Sequence, residues 1–311
     1  PAFDLLRKTT FLELCEDALV EIASCCDGIA AIVGLPILTN NGTISAAALI
    51  QDRKVLRYIG KKYITARREM GFLVPSKGYE YATIKGHKCA IIVGDDLSRE
   101  RDFDQSVETV ISINARKYGK GTMTYRYEMM RNLAFVESKN LVLVNQVGGS
   151  TDIVYDGTSG ALNSRGELVL MMKNFEEDFQ IFDTKASARP ISIPSTYNDR
   201  TRLVYEAARC GLRDFFRKNG YRKASIGLSG GIDSAVVACI AADALGAENV
   251  RALLMPSPFS SFESVEDAKE LARNLGIEYN VIPISEIYTS VVNTLKPVIG
   301  GTEFDATEEN I

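Results

Sequence analysis

The alternation of apolar and helical segments after residue 220 is the feature that most limits the folds open to this chain. The segments "KASIGLSGG", "VRALLMPS" and "EYNVIPIS" have the length and apolar content of buried strands. The segments between them, "IDSAVVACIAADALG" and "ESVEDAKELARNLG", have helical composition and end at Gly246 and Gly276. Because parallel strands need helical crossovers, this order predicts an α/β domain with a doubly wound parallel sheet.

The first half of the chain has an α/β pattern of its own. "TFLELCEDALVEIASCC" reads as a helix, and the turns "TNNGT" and Asp52-Arg53 indicate paired strands. Strand-like segments continue as far as "ELVLMM" and "FQIFD". Residues 184–196 carry two prolines and no periodicity, which is typical of a linker. We therefore predict one domain over residues 1–183 and a second over residues 197–311.

Composition excludes several classes of protein. The net charge is −4 with both signs interspersed, so neither a nucleic-acid-binding nor a membrane-bound protein is expected. Six scattered cysteines without a CxxC motif indicate reduced thiols and a cytoplasmic protein. The single histidine, His87, excludes Ser-His-Asp and Cys-His catalysis and multi-histidine metal sites.

The Gly-Gly turn between the first strand and helix of the second domain predicts an anion site. Backbone N–H groups at a helix N-terminus bind phosphate, and glycines let the backbone come close to it. Asp233 would repel phosphate unless a cation such as Mg²⁺ bridges the two. No lysine follows the glycines as in a Walker loop, so the turn suits pyrophosphate release from ATP.

The motif "LSGGIDSA" resembles the pyrophosphate loop of the ATP pyrophosphatases. "MPSPFSS", "DAKELARNLGIEY" and "TEENI" extend that resemblance to the NAD⁺ synthetase family, whose nucleotide domain is of the adenine-nucleotide α-hydrolase type. The resemblance implies that Asp233 ligates Mg²⁺ and that Asn310 binds deamido-NAD⁺. It also implies an ATP site made of Gly227, Leu228, Ser229, Gly230, Gly231, Ile232, Asp233, Ser234 and Met255.

The reaction implied by this resemblance has two steps. The nicotinate carboxylate of deamido-NAD⁺ attacks the α-phosphorus of ATP, which gives an acyl-adenylate and pyrophosphate. Ammonia then attacks the acyl carbon and displaces AMP. The protein would act mainly by positioning the reactants and stabilising charge.

The first domain resembles the glutaminase domain of the glutamine-dependent branch, a nitrilase-like αββα sandwich. "VLVNQVGGSTDIVYDGTSGALNSRGELV" carries this resemblance most clearly. Nitrilase-like amidases use a glutamate base, a lysine and a cysteine nucleophile. Lys61 matches the lysine, with Lys62 one register away, whereas the glutamate segment precedes the region where this chain begins. Gly94 occupies the nucleophile position, and a glycine has no nucleophile.

The residues expected to hold glutamine are also altered. Arg67 and Arg116 replace a tyrosine and a serine of the family, and Lys120 matches a lysine on the glutamine side. We therefore predict that the first domain does not hydrolyse glutamine. The resemblance further implies that the chain is partial at both ends and that the protein forms a homo-oligomer.

Two other functions are compatible with the sequence. The chain could be a non-catalytic regulatory or assembly subunit that keeps both folds. It could also be another ATP pyrophosphatase, such as a GMP synthetase or a tRNA-thiolating enzyme, although the acidic balance and "TEENI" disfavour this.

Overall fold

The structure is a computed structural model of the 311-residue chain that describes residues 5–65, 67, 69–78, 80–185, 189–197 and 199–299. The chain divides into two compact units, Pro1–Ala207 and Ala208–Ile311. The domain limits and the linker at residues 184–196 stay predictions.

The first unit is built from two helices and eleven strands among its described residues. In chain order these are α1 (Thr9–Cys25), β1 (Ala30–Thr39), β2 (Gly42–Gln51), β3 (Lys54–Gly60), β4 (Glu80–Ile84), β5 (His87–Val93), β6 (Thr109–Asn114), α2 (Thr122–Glu137), β7 (Asn140–Asn145), β8 (Val147–Ser150), β9 (Ile153–Asp156), β10 (Gly160–Leu162) and β11 (Leu168–Met171).

Two sheets form the centre of this unit. One is antiparallel with the order β1-β2-β3, and the other has the order β11-β10-β7-β6-β5-β4 and is parallel only across β5, β6 and β7. Successive side chains of β2 point to opposite faces. Ala47 and Leu49 pack with Ile91 of β5 in the second sheet, whereas Ala48 and Ile50 pack against α1. On the second sheet, α2 contacts β7 and β10. The predicted helix–sheet–sheet–helix architecture is confirmed.

The turns that join β1, β2 and β3 follow the sequence. Asn40 and Asn41 form the predicted turn between the paired residues Thr39 and Gly42. Asp52 and Arg53 have φ values of 49° and 63°, the left-handed pair that a tight hairpin requires.

The predicted strand at "FQIFD" is wrong, because this described segment forms no strand. Phe179 and Ile181 are each 83% exposed. An apolar segment alone is therefore not sufficient to form a strand, because a strand also needs a neighbouring strand to pair with.

In the second unit a parallel sheet is surrounded by helices. Its elements are α3 (Arg200–Asn219), within which the unit begins, β12 (Ala224–Gly227), α4 (Ile232–Leu245), β13 (Val250–Leu254), α5 (Phe262–Leu275), β14 (Glu278–Val281) and α6 (Ser285–Ile299). The strands pair in parallel in the order β12-β13-β14. The parallel α/β fold is therefore confirmed, and the carboxyl ends of β12 and β13 lie at one edge of the sheet.

None of the helices within the described residues is long and apolar enough to cross a membrane.

Candidate active sites

The loop between β12 and α4 is held in shape by its own serines. Ser234 Oγ accepts a hydrogen bond from Ser229 N at 3.2 Å and lies 3.0 Å from Gly231 O, to which it can donate. Ser229 Oγ accepts from Gly231 N at 3.2 Å. These bonds fold the loop back onto the first turn of α4, whose free N–H groups are a site for an anion.

The predicted nucleotide-site residues have different environments in this loop. The Leu228 side chain is 4% exposed and belongs to the core, so only its backbone faces the loop. Ile232 at the start of α4 is 75% exposed. An added Cβ on Gly227 would lie 3.3 Å from Met255 Cε. The structure therefore brings the ends of β12 and β13 together at the edge where the adenine was expected.

Asp233 lies exposed in the first turn of α4. Carboxylate oxygen is a ligand that Mg²⁺ prefers, and Mg²⁺ commonly takes its remaining ligands from phosphate and water. Within the described residues, no group of three His, Cys, Asp or Glu side chains could hold a metal by itself. A cation at Asp233 would therefore need ligand oxygens from a nucleotide. Asn310, the predicted deamido-NAD⁺ contact, lies outside the described residues.

In the first unit the structure brings Lys61 and Gly94 together. Lys61 follows β3, and Gly94 follows β5 with a φ of 64°. An added Cβ on Gly94 would lie 3.6 Å from Lys61 Nζ. Lys62 differs, since its Nζ lies 3.4 Å from Glu100 Oε1. Lys61 is therefore the lysine that faces the position where the family has its nucleophile.

Sequence reasoning missed the partner of this lysine. The Lys61 side chain is 4% exposed, and its Nζ lies 2.7 Å from both carboxylate oxygens of Glu69. Such a bidentate pair holds the buried ammonium in one position and neutralises it. Glu69 begins a short 3-10 helix, Glu69–Gly71, where no motif or periodicity marks it.

Asp96 fixes the backbone next to the same lysine. Its carboxylate accepts hydrogen bonds from Lys62 N at 2.6 Å and Tyr63 N at 3.0 Å. Burial raises the pKa of Asp96 although both N–H groups act in the opposite direction. The carboxylate ties the segment after β3 to the turn that follows β5.

Among the predicted glutamine-side residues, Arg116 lies beside Gly94 and the other two are exposed. Arg116 Nη1 pairs with Asp95 Oδ1 at 3.3 Å, beside Gly94. Arg67 and Lys120 are exposed. The structure therefore leaves their roles, and that of Lys61, as predictions.

Cys89 does not take the place of the missing nucleophile. It is buried near the start of β5, and Gly94 follows the end of that strand, roughly 16 Å further along an extended chain. Burial raises the pKa of the Cys89 thiol, with Glu108 as a second cause, so the reactive thiolate is disfavoured.

Taken together, the fold and these sites define a class of protein in which an αββα sandwich precedes a parallel α/β unit with a Gly-Gly loop between its first strand and the following helix. Residues 204–311 match the NAD synthase family. The whole chain is similar to the glutamine-dependent NAD(+) synthetases of Aquifex aeolicus (strain VF5), with 34% identity over 62% of that protein, and of Acinetobacter baylyi (strain ATCC 33305 / BD413 / ADP1), with 32% over 59%.

Two solved structures have the same fold. The glutamine-dependent NAD⁺ synthetase from Acinetobacter baumannii, in complex with ADP, matches the whole chain with a TM-score of 0.85 and 31% identity over 61% of its length. The enzyme from Cytophaga hutchinsonii matches 99% of the chain with a TM-score of 0.81 and 17% identity, over 61% of its length. The chain is thus similar over its whole length to glutamine-dependent NAD⁺ synthetases, and it spans about 60% of the length of these relatives.

Proposed function

We propose that this chain carries the ATP-binding part of an NAD⁺ synthetase, which converts deamido-NAD⁺ to NAD⁺ and releases AMP and pyrophosphate. The observation that carries the proposal is the loop at residues 228–231, which is folded by Ser229 and Ser234 onto the N-terminus of α4. The match of residues 204–311 to the NAD synthase family supports it.

The geometry indicates a role for each part of this loop. The N–H groups at the start of α4 would bind the departing pyrophosphate and stabilise its negative charge. Asp233 would hold Mg²⁺ against the phosphate oxygens. Met255, which follows β13, would contact the adenine, and the Acinetobacter baumannii relative, solved in complex with ADP, supports an adenine nucleotide as the ligand.

The nitrogen would come from free ammonia. Lys61 and Glu69 remain in place in the first unit, but Gly94 offers no side chain to attack the glutamine amide. The first unit would therefore contribute its fold and not an ammonia supply. Glutamine binding at Lys120, deamido-NAD⁺ binding at Asn310, a homo-oligomer and a cytoplasmic location stay predictions.

The two other functions have less support. The matched family is an NAD synthase and not another ATP pyrophosphatase. A non-catalytic subunit would not need an ATP site that depends on Mg²⁺. A measurement of Mg²⁺-dependent ATP binding therefore distinguishes that function from the proposed one.

Titration of the chain with ATP at increasing MgCl₂ tests the proposal. We expect saturable binding that tightens with Mg²⁺, and Asp233→Asn should weaken it about tenfold at saturating Mg²⁺. Asp243→Asn is the matched control, because Asp243 is an exposed acid on the same helix. An ATP affinity that does not change with the Mg²⁺ concentration, or an equal loss of ATP affinity in the two variants, would overturn the role of Asp233. Absence of ATP binding would overturn the proposed function.

A further inference from the structure

The two glycines of the loop face different surroundings. An added Cβ on Gly230 would clash with the Ser264 hydroxyl and would lie 2.7 Å from Ser264 Cα and 2.8 Å from Ser264 O. These atoms belong to the first turn of α5, so the space beside Gly230 is already occupied. The glycine at position 230 is therefore required by the close approach of another helix.

Gly231 has much more room. An added Cβ there would meet only the Ser229 hydroxyl, at 3.3 Å. The backbone of Gly231 is extended, with a φ of −83°, which an alanine adopts without backbone strain, so only the Ser229 hydroxyl would have to shift by a few tenths of an ångström. The missing side chain of Gly231 thus leaves the ligand side of the loop open.

The position of α5 beside the loop is fixed by its packing against α4. Ser264, Ala268 and Ala272 occur at four-residue intervals and share one face of α5. Ala268 and Ala272 are buried with Ala238 and Ala242 of α4 in one core cluster. Small side chains let the two helices come close together, and a tightly packed core leaves α5 little room to move away from Gly230.

The start of α5 is also held locally. Ser261 caps the helix, because its side chain accepts a hydrogen bond from Ser264 N at 3.1 Å. The cap orders the turn that presents Ser264 to the loop. The contact to Gly230 therefore joins two ordered elements.

We propose that the backbone of α5 at Ser264 positions the loop for the ATP phosphates: α5 packs on the side of Gly230 that has no Cβ and thereby fixes the position of the loop relative to α4. This inference rests on the proposed function, because it assumes that ATP is the ligand of the loop. Gly230 then serves helix packing, and Gly231 serves the approach of phosphate. Because Ser264 acts through the loop backbone, displacement of the loop should affect phosphate binding and spare the adenosine end at Met255.

Two substitutions at Ser264 test the contact. Ser264→Ala removes the hydroxyl and adds no atoms, so the affinities for ATP and AMP should stay within about twofold of the wild-type values. Ser264→Leu keeps a helix-forming residue but fills the space beside Gly230, and ATP affinity should fall about tenfold or more. AMP affinity should change less than about twofold, since AMP lacks the β- and γ-phosphates that reach the loop.

The glycines supply the matched pair. Gly230→Ala should lower the melting temperature of the ligand-free chain, because the added Cβ displaces α5. Gly231→Ala should lower the melting temperature much less than Gly230→Ala while it weakens ATP binding. Both measurements use the full chain, with calorimetric titration for ATP and AMP.

The outcomes separate this inference from the proposed function. Wild-type ATP affinity in Ser264→Leu, or an equal loss of ATP and AMP binding, would overturn the positioning role. Equal melting temperatures for Gly230→Ala and Gly231→Ala would overturn the packing role of Gly230, whatever the ligand. A wild-type chain that does not bind ATP would instead overturn the proposed function, and the phosphate part of the inference with it.

Discussion

Lys61 Nζ lies 3.6 Å from the position that a Cβ on Gly94 would occupy. The first unit therefore keeps a buried lysine facing a residue that has no side chain to activate. Glu69 holds that lysine with both carboxylate oxygens, so the charged pair is preserved although the nucleophile is absent.

Restoring a thiol at this position should yield a reactive cysteine. Gly94→Cys, made in a Cys25→Ser background because Cys25 is an exposed free cysteine, places sulfur beside the Lys61 ammonium, which stabilises the thiolate. Alkylation by iodoacetamide should be faster than for Ser98→Cys in the same background. Melting should occur at a lower temperature, because a left-handed φ destabilises a non-glycine residue by about 1–2 kcal/mol.

The same variant should still fail to hydrolyse glutamine, since Arg116 and Arg67 are predicted to replace the residues that hold the substrate in the family. Glutamate formation measured with and without the new thiol checks this. Equal alkylation rates at positions 94 and 98 would contradict the proximity of Lys61.

The Lys61–Glu69 pair should show strong coupling in unfolding experiments. Lys61→Met leaves the Glu69 carboxylate, whose side chain is 13% exposed, without its cation, and the free energy of unfolding should fall by about 3–5 kcal/mol. The double variant Lys61→Met/Glu69→Leu should recover most of this loss because no charge then remains buried. Urea unfolding of Lys61→Met, Glu69→Leu and the double variant measures the coupling. Additive losses would show that the two side chains do not interact.

Tyr127 should make the first unit sensitive to alkaline pH. Burial is the main cause that raises the pKa of this phenol above its ordinary 10.0, and its hydroxyl donates to Thr158 O at 3.1 Å. Above pH 10 the phenol of the unfolded chain ionises while that of the folded chain keeps its proton. The stability that Tyr127 contributes is therefore fully present below pH 10 and is lost as pH rises further.

The matched variant is Tyr127→Phe, which lacks both the hydrogen bond and the titration. At pH 8 the wild-type chain should be more stable than this variant by about 1 kcal/mol. The difference should shrink between pH 10 and pH 11 in urea unfolding series. A difference that stays constant over that interval would contradict the raised pKa.

Local sequence patterns predicted the second unit well. The predicted strands and helices from α3 to β14 each have an apolar pattern of their own, and α3, α4 and α5 are each followed by a glycine, whereas the helix α6 was not predicted. "FQIFD" has a strand-like pattern too, but Phe179 and Ile181 are exposed, and no local pattern can show whether a partner strand is available.

The details of both sites depended on contacts between distant parts of the chain. Glu69 contacts Lys61 from a short 3-10 helix, Glu69–Gly71, that no motif marks in the sequence. The sequence indicated that Gly230 and Gly231 share one role, and only the approach of Ser264 from α5 separates them. Motifs in the sequence could thus predict the chemistry of the side chains that are present. They could not predict why a glycine is needed at a given position.

The nitrogen source tests the central claim most directly, which is that the chain keeps the ATP-dependent chemistry and has lost its own supply of ammonia. AMP release is measured with ATP, Mg²⁺ and deamido-NAD⁺, in parallel with ammonium chloride and with ammonia-free glutamine. We predict AMP release with ammonium and none above background with glutamine. Release with glutamine at the rate seen with ammonium would contradict the loss of the nucleophile at Gly94, and no release with either would contradict the synthetase function itself.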